Sequence, residues 1–319
     1  MKDKYRTLCR GEPSIPLFSR DWWLDAVAGD DGWDVVVLEH GGDVVASLPY
    51  VRTTKFGYTL LSQPPLTQTL GPWIKAGKAS YAKNLRREKD LMQALIDGLP
   101  RYAHFSQRWH HDRTNWLPFF WRGFRQTTHY TYRLPQLSDL DLVWSGIREN
   151  IRTDVRKARG RMQIRIVEEP SLEDFLELNR KVFARQNVRM PYGADLVHRI
   201  DRAASRMNAR KLFMAADPDG NFHAGVYLVW DENSAYYLMG GSDPELRNSG
   251  ATSLCMWEAI QYAATVTKSF DFEGSMLEPV ERFFRGFGAV QTPYSKVTHT
   301  PSHLLSLGIW LNERRRMRP

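Results

Sequence analysis

The second half of the chain contains a short run of small and polar residues, 247–252, that follows a predicted strand and opens a predicted helix. Backbone N–H groups at such a helix start lack partners and lie at the positive end of the helix dipole, so they can hold a phosphate or pyrophosphate. Glycine at 250 would let the backbone approach the anion, although such a glycine can also simply cap the helix. The predicted anion-binding residues are Arg247, Asn248, Ser249, Gly250, Ala251 and Thr252.

The pattern of apolar residues predicts an α/β chain built from two similar halves. In the first half, β-branched runs around Gly41 and Gly42 indicate a hairpin, and prolines make 63–73 a rigid loop. We place the boundary near Pro135, which gives domains 1–135 and 136–319, the second with a basic C-terminal tail. The strands are predicted at 33–39, 43–50, 102–107, 126–133, 163–167, 211–216, 221–230, 235–240, 269–272 and 289–298, and the helices at 21–27, 84–98, 140–146, 148–160, 171–188, 194–208, 253–268 and 278–286.

Length and composition indicate a folded protein with an anionic partner. With 319 residues the chain is long enough for two ordinary domains, and its 42% hydrophobic and 25% charged residues argue against disorder. Lysine and arginine outnumber aspartate and glutamate by 44 to 36, which gives a formal charge of +8. This balance favours partners such as a nucleotide cofactor, tRNA, a sugar phosphate or a lipid headgroup.

Other classes of site lack their sequence signatures. Cys9 and Cys255 are too few for a disulfide framework and lack metal-ligand spacing, and Cys255 fits a buried helix position. No segment resembles a signal peptide or a membrane span, so we expect a cytoplasmic protein. No P-loop or Gly-x-Ser-x-Gly motif supports ATP hydrolysis or covalent catalysis. His110 and His111, followed by Asp112, would point apart on a strand, so we expect no metal site.

Four segments of the second half resemble the Fem-type aminoacyl and acyl transferases (FemAB-like proteins), which belong to the GNAT superfamily of N-acetyltransferases. The resemblance covers about residues 140–298. The loop at 247–252 is similar to the Arg/Gln-x-x-Gly-x-Gly/Ala loop that holds the acyl-CoA pyrophosphate in that superfamily, with Thr252 as a departure. A first-half loop, 65–73, is similar to one found in bacterial relatives. The four segments are the basic helix 148–158, residues 237–242 with the loop that follows, residues 271–275 and residues 284–289.

The resemblance implies a pair of GNAT-like domains, each a mixed, largely antiparallel sheet flanked by helices, with the chemistry concentrated between them. It also implies transfer of an acyl or aminoacyl group to an amine. Some relatives take this group from aminoacyl-tRNA and others from acyl-CoA, and the fold alone does not decide between the two donors.

Amide formation needs a base for the amine, stabilisation of the oxyanion and close contact between the reactants. Asp271 and Glu273 alternate at a strand end and would share a face, so either can serve as the base; the alternative is that one caps the next turn. Glu278 is a third candidate base. Backbone N–H groups near 239–241 could stabilise the oxyanion. The candidates for protonating a leaving thiolate are Tyr237 and Tyr294, and each of these also fits an aromatic core or rim position.

Cationic side chains complete the candidate site. Arg148, Arg152 and Arg156 recur at four-residue steps on one helix face, where they could bind an acceptor phosphate or a tRNA backbone; a solvated face is the alternative. Arg285 stands where relatives often have lysine and keeps the charge without an acid–base role. We expect the acceptor to lie between the two halves. The predicted substrate-binding residues are Arg152, Arg156, Arg285, Thr67 and Gln68.

The sequence supports three hypotheses. In the first, the chain is an N-acyltransferase that moves an acyl group from acyl-CoA, bound at 247–252, directly to an amine such as an amino sugar or cell-surface precursor, without a metal. In the second, the donor is aminoacyl-tRNA; the positive charge and Thr252 favour this, and the absence of a long helical arm between the halves opposes it. In the third, the chain is a non-catalytic nucleic-acid-binding protein.

Overall fold

The computed structural model describes residues 1–168, 170–185, 190–274, 276–302 and 305–306. It divides into two compact units, the first formed by 1–129 with the described residues from 293 onward, and the second by 130–292. The chain passes between the units within two strands, β6 (Arg125–Leu134) and β12 (Val290–His299). The domain boundary at residue 135 stays a prediction, and the basic tail lies outside the described residues.

The first unit is a mixed sheet in the order β1–β2–β3–β5–β12, with β4 paired to β2. All of these pairs are antiparallel except β3 with β5, which is parallel. The predicted hairpin at Gly41 and Gly42 joins β1 to β2. The elements of this unit before β6 are α1 (Lys2–Gly11), α2 (Asp21–Ala28), β1 (Trp33–His40), β2 (Asp43–Lys55), β3 (Tyr58–Ser62), β4 (Trp73–Ile74), α3 (Tyr81–Asp97), β5 (His104–Arg108) and α4 (Leu117–Trp121).

Strand β1 shows how this sheet is covered on both faces. Its side chains alternate, so that Val36 packs in a cluster with Met92 of α3, whereas Val35 and Val37 pack in a second cluster with Tyr5 of α1. A strand that is buried on both faces has a continuous run of apolar residues in its sequence, and the three valines of β1 form such a run.

The second unit is also a mixed, largely antiparallel sheet, in the order β6–β11–β10–β9–β8–β7. Only β10 and β11 pair in parallel. Together the two units confirm the predicted α/β class. The remaining elements are α5 (Leu140–Gly146), α6 (Glu149–Arg159), β7 (Arg165–Val167), α7 (Leu172–Arg185), α8 (Ala194–Arg206), β8 (Arg210–Ala216), β9 (Phe222–Trp230), β10 (Ser234–Ser242), α9 (Ala251–Val266), β11 (Ser269–Asp271) and α10 (Glu278–Arg285).

Helix α9 forms the centre of the core of the second unit. It packs against β8 and β9 on one side and against α6 on the other, so it is apolar almost all round. Leu254 and Cys255 of α9 share one cluster with Ile151 and Val155 of α6. Cys255 is fully buried, as predicted, and burial raises the pKa of its thiol. No helix within the described residues is long and apolar enough to cross a membrane.

Two helices were not predicted, and several bounds differ from the predicted ones. Helix α1 buries only two side chains, which leaves a weak apolar stripe in the sequence, and α4 is a single short helix after a turn. Helix α3 begins at Tyr81 rather than at 84, and α8 ends at Arg206 rather than at 208. The predicted end of the helix at 171–188 falls on residues outside the described part of the chain.

The proline-rich loop at 63–73 is held by specific hydrogen bonds, and only its last residue lies in a strand. Gln63 accepts from the backbone N–H of Arg108 at 2.7 Å and donates to the carbonyl of Thr67 at 2.8 Å. The hydroxyl of Thr67 accepts at 3.0 Å from the indole N–H of Trp23, a fully buried side chain. Thr67, predicted to bind substrate, is therefore buried and anchors the loop, whereas Gln68 is only half-buried.

We expect the substitution Thr67→Val to lower the free energy of unfolding by about 1–3 kcal/mol, because it keeps the shape but leaves the buried indole N–H of Trp23 without an acceptor. Thr69→Val is the matched control, since the Thr69 hydroxyl is buried and makes no hydrogen bond within the described residues. Urea unfolding of the three proteins measures the difference. Equal losses for both variants would contradict an anchoring role for Thr67.

Candidate functional site

Strands β10 and β11 run parallel and then part from each other midway along β10. Their pairing covers three positions and ends at Tyr236 opposite Asp271. Beyond that point β11 has ended, whereas β10 continues along β9 alone. A bulge between Tyr237 and Met239 increases the local twist where the strands part. The edge of β10 that faced β11 therefore presents backbone groups over the stretch where we predicted an oxyanion site, 239–241.

Helix α7 packs over the same part of β10. The side-chain amide of Asn179, which is only 2% exposed, donates to the carbonyl of Gly240 at 2.6 Å and accepts from the Tyr192 hydroxyl at 3.2 Å. A Cβ on Gly241 would lie 2.9 Å from the backbone nitrogen of Asn179, so the helix and strand are in close contact. Asn179 was not among the site residues that we predicted from the sequence. The sequence feature that could have indicated it is a polar residue next to Leu178 on the buried face of a helix.

The predicted anion loop starts α9 in the way that the sequence suggested. Arg247–Ser249 form one turn of 3-10 helix, and α9 begins directly after Gly250. The N–H of Ala251 donates to the Ser249 hydroxyl at 3.3 Å, the N–H groups of Thr252 and Ser253 have no carbonyl one turn earlier in the helix, and that of Leu254 donates to the carbonyl of Gly250 at 3.1 Å.

Two cations lie at this loop. The side chain of Arg247 is exposed and makes no hydrogen bond or ion pair within the described residues. The ammonium group of Lys157, on α6, donates to the carbonyl of Asn248. The loop therefore combines helix N–H groups with positive charge, which is the chemistry that a phosphate needs.

Gly250 is required by packing against α6 as much as by any ligand. Its φ of +83° is left-handed, and a Cβ there would overlap the backbone carbonyl of Asp154. The glycine therefore serves the contact between the loop and α6, a structural role beyond the two that the sequence suggested, which were the approach of an anion and a helix cap. Gly286, at the C-terminal end of α10, meets the same helix: its carbonyl accepts from the N–H of Arg148 at 2.8 Å, and a Cβ on it would overlap Ile151.

The predicted basic face of α6 is largely paired. Arg152 and Arg156 both bind the carboxylate of Glu149, at 2.6 and 2.9 Å. Hydrogen bonds from Arg156 and then Arg152 lower the pKa of Glu149. Arg156 also lies 6.0 Å from the ring centre of Trp144, and Arg159 forms an ion pair with Glu258. The structure therefore holds the two predicted substrate-binding arginines side by side, on one shared acid.

Arg285 and Glu278 lie on α10 and are also paired. Arg285 binds Glu281 at 2.7 Å, which raises its pKa, and Glu281 accepts from the Tyr132 hydroxyl at 2.8 Å. Glu278 is exposed and forms an ion pair with Arg282 one turn later. Neither pair is buried, so each contributes little to stability and can be exchanged for a ligand.

Asp271 is buried and holds the turn that follows β11. It accepts from the Thr131 hydroxyl and, at 2.8 Å, from the backbone N–H of Glu273. Arg133 lies 3.7 Å from its second oxygen. The N–H of Gly274 in turn donates to the Thr131 hydroxyl at 2.9 Å. These contacts match the turn-capping alternative for Asp271, and Thr131, which the sequence analysis missed, takes part in the same network.

Glu273 does not continue the alternation of the strand. β11 ends at Asp271, and Glu273 has a φ of +54°, a left-handed conformation that is uncommon outside glycine. Our prediction that both carboxylates lie on one face of a strand is therefore wrong for Glu273. Its carboxylate oxygens are shielded from solvent, and its charge, after burial, contributes to the raised pKa of Tyr237. The charge of Glu273 also contributes, after burial, to the raised pKa of Tyr236, so the carboxylate lies close to this part of β10.

The remaining predicted groups lie in the first unit. Tyr294 is half-buried, and its ring centre lies 5.6 Å from that of His129. His110 and His111 do not point apart, as we had expected: β5 ends before them, and their ring centres are 4.1 Å apart in a turn. The expectation was wrong because alternation applies only while the backbone stays extended.

We expect Gly250→Ala to lower the free energy of unfolding by about 2–4 kcal/mol, because it adds left-handed strain and an overlap with Asp154. Gly220→Ala is the control, since Gly220 has a similar φ of +86° but open space around it, and it should lose about 1–2 kcal/mol. Thermal and urea unfolding measure both variants. Equal losses would show that the contact between the loop and α6 contributes nothing.

Comparisons with known protein families and solved structures agree with the fold described above. Residues 145–282 match the family model described as an acetyltransferase (GNAT) domain. No curated protein sequence is similar enough to the chain to count as a relative. The structure of FemX aligns over 92% of this chain and 95% of its own, with a TM-score of 0.68 and 14% sequence identity.

Two further structures share the fold. One is the C-terminal domain of a putative lysylphosphatidylglycerol synthetase from Agrobacterium fabrum, with a TM-score of 0.56, 12% identity and coverage of 97% of this chain and 94% of that one. The other is L-PGS from Bacillus licheniformis, with a TM-score of 0.51, 10% identity and coverage of 84% and 85%. Residues 145–282 of this chain therefore match a GNAT acetyltransferase domain, and the chain shares its fold with FemX.

Proposed function

We propose that the chain is an N-acyltransferase that moves an acyl group from acyl-CoA to an acceptor amine, with the donor bound where β10 and β11 part. One observation carries this proposal: the exposed edge of β10 and the cationic start of α9 lie at the same end of the sheet, joined by residues 243–250. A thioester with a long anionic tail needs both features, because its carbonyl needs N–H donors and its pyrophosphate needs a helix start.

Residues 247–252, which we call the donor seat, would contribute to binding acyl-CoA in three ways. The N–H groups of Thr252 and Ser253 would donate to the pyrophosphate, Arg247 would add a charge, and Gly250 would keep the loop close to α6. Thr252 departs from the small residue of the family loop, but the N–H group that binds an anion does not depend on the side chain. Its hydroxyl can add a further donor.

The reaction would proceed by direct attack. The amine nitrogen forms a bond to the thioester carbon, the oxyanion is held by backbone N–H groups at 239–241, and collapse breaks the carbon–sulfur bond. The amine gives up one proton to a carboxylate. The CoA thiolate takes one proton from the Tyr237 hydroxyl or from water. Burial raises the pKa of Tyr237, so its hydroxyl carries the proton that the predicted role needs but gives it up less readily than a free tyrosine.

Glu273 is the carboxylate that we assign as base. Asp271 already accepts from two groups that hold the turn, so its removal would disturb the backbone. Both carboxylate oxygens of Glu273 are shielded from solvent, and its charge acts on Tyr236 and Tyr237 of β10, so the carboxylate is near that strand. Glu278 is exposed and paired, and fits this role less well.

The acceptor would be an amine that also carries negative charge, such as a nucleotide-linked amino sugar or another cell-surface precursor. Arg152, Arg156 and Arg285 support this part of the proposal, because their ion pairs are at the surface and weak enough to be exchanged for phosphate. Gln68 remains a proposed contact of the acceptor. Both acyl-CoA and tRNA are intracellular donors, so we propose that the protein acts in the cytoplasm.

A second candidate function has aminoacyl-tRNA as the donor. Two observations favour it: the formal charge of +8, and a fold shared with FemX and with two lysylphosphatidylglycerol synthetase structures. The positive charge would then bind the tRNA backbone, with an affinity that falls steeply as salt is raised. The aminoacyl ester would take the place of the thioester at the same edge of β10.

Calorimetric titration separates the two donors. Acetyl-CoA and dephospho-CoA should both bind, whereas pantetheine, which lacks the pyrophosphate, should bind much more weakly. Uncharged and aminoacylated tRNA should bind with micromolar or weaker affinity that disappears at high salt. No binding of acetyl-CoA together with specific binding of aminoacyl-tRNA would replace the acyl-CoA proposal by the second candidate.

We expect Arg247→Glu to raise the dissociation constant of acetyl-CoA about tenfold or more, because a charge-assisted hydrogen bond is replaced by repulsion. The thermal stability should not change, since Arg247 makes no side-chain contact within the described residues. Arg202→Glu, on an exposed part of α8 in the same unit, makes the same change of charge away from the loop. An equal effect of both substitutions would mean that only the overall charge matters.

We expect Glu273→Gln to lower kcat about 10²–10⁴-fold at unchanged donor affinity, because it removes the proton acceptor but keeps the shape. The assay follows release of the CoA thiol with an amine acceptor found by screening. Glu278→Gln should stay near wild type. Asp271→Asn should instead lower stability, since its contacts hold the turn. Full activity of Glu273→Gln would exclude Glu273 as the base.

A further inference from the structure

Three potential metal ligands converge in the turn that follows β5 in the first unit. The Nδ1 atom of His110 lies 3.3 Å from one carboxylate oxygen of Asp112, and the Nε2 atom of His111 lies 3.2 Å from the other. One ligand atom of each residue lies within 4.8 Å of the other two. Imidazole nitrogens with a carboxylate oxygen form a ligand set typical of zinc and other divalent transition metals.

The chain builds this convergence by fixing the backbone on both sides. Trp109 is fully buried, and its neighbour His110 donates its N–H to the carbonyl of Leu70 at 3.2 Å. The N–H of Arg113 then donates to the carbonyl of His110 at 2.8 Å, which closes a tight turn. As a result the two ring centres lie 4.1 Å apart, with the ring planes tilted by 43°, and the rings do not point to opposite faces.

The exposure of the three side chains suits a bound ion. The side chains of His110 and His111 are 13% and 10% exposed, whereas that of Asp112 is 70% exposed. Two ligands are thus held rigidly by their surroundings, and the third is at the surface, where it leaves a path for the ion to enter.

The electrostatics of the cluster also favour a cation. A neutral imidazole carries a lone pair on one ring nitrogen, and the backbone N–H of Asp112 points at Nδ1 of His110 at 3.4 Å, which fits a lone pair there. That lone pair and a carboxylate oxygen then lie 3.3 Å apart and repel each other unless a positive charge lies between them. A proton on the ring or a metal ion can supply this charge.

We propose that His110, His111 and Asp112 bind one divalent transition-metal ion of the zinc class. Three protein ligands leave a fourth position for water or for an oxygen of another molecule. The next residue in the chain is a cation, Arg113: burial lowers its pKa, and the charges of Glu88 and Asp112 act in the opposite direction. The ion would fix the turn beside the loop at 63–73 through the bond to Leu70.

The test is metal binding by the whole chain, freed of metal by a chelator and titrated with Zn²⁺ and, separately, with Co²⁺. We expect one ion per chain, a visible Co²⁺ spectrum of the intensity that low-coordinate sites give, and a higher melting temperature with Zn²⁺. His110→Ala and His111→Ala should each weaken binding about 100-fold or more, since loss of an outer hydrogen-bond partner alone weakens a site up to about 100-fold. His40→Ala, an exposed histidine on β1, is the matched control.

Two results would overturn the proposal. One is the absence of a tight Zn²⁺ site in the wild type, which would mean that the cluster holds protonated histidines paired with Asp112. The other is binding that survives both histidine substitutions, which would place the ion elsewhere. If the histidine variants fail to fold, Asp112→Asn changes only an exposed side chain and should still weaken Zn²⁺ binding and abolish the rise in melting temperature.

Discussion

The close approach of helix α6 to two glycines is the contact on which the rest of the site depends. Gly250 meets the carbonyl of Asp154 near the middle of the helix, and Gly286 meets Ile151 one turn before it. No residue with a Cβ can replace either glycine without a shift of backbone or core. Because α6 also packs along α9, it fixes the start of α9, the anion loop and the end of α10 relative to one another. The position of the donor seat is thus set by core packing.

The same helix shows how a basic surface can be stable and still available to a ligand. One acid, Glu149, binds both Arg152 and Arg156, so the two guanidinium groups are held close together in the absence of any ligand. Exposed pairs of this kind contribute little to stability, because water and salt screen them. If an anionic ligand replaced Glu149, as we propose, the arginines would already be in place.

Sequence patterns predicted those parts of the fold that repeat, and failed where the backbone leaves a regular conformation. Every predicted strand and helix has a counterpart in the structure, as do the hairpin at Gly41 and Gly42 and the helix start after residue 250, but helices α1 and α4 and strands β3 and β4 were not predicted. At two places, 109–112 and 271–273, we predicted that the side-chain alternation of a strand continues, whereas the strand has already ended there. At both places tertiary hydrogen bonds end the strand, and no local pattern encodes those bonds.

The conformation of Glu273 links the structural and the chemical parts of the site. A left-handed backbone at a residue other than glycine costs on the order of 1–3 kcal/mol, and it persists only where the surroundings hold it. Here Asp271 accepts the N–H of Glu273, and Thr131 accepts the next N–H along the chain, so two buried side chains fix the turn. Asp271 and Glu273 are therefore not alternatives for one role: the first carboxylate holds the backbone conformation of the residue that we propose as the base.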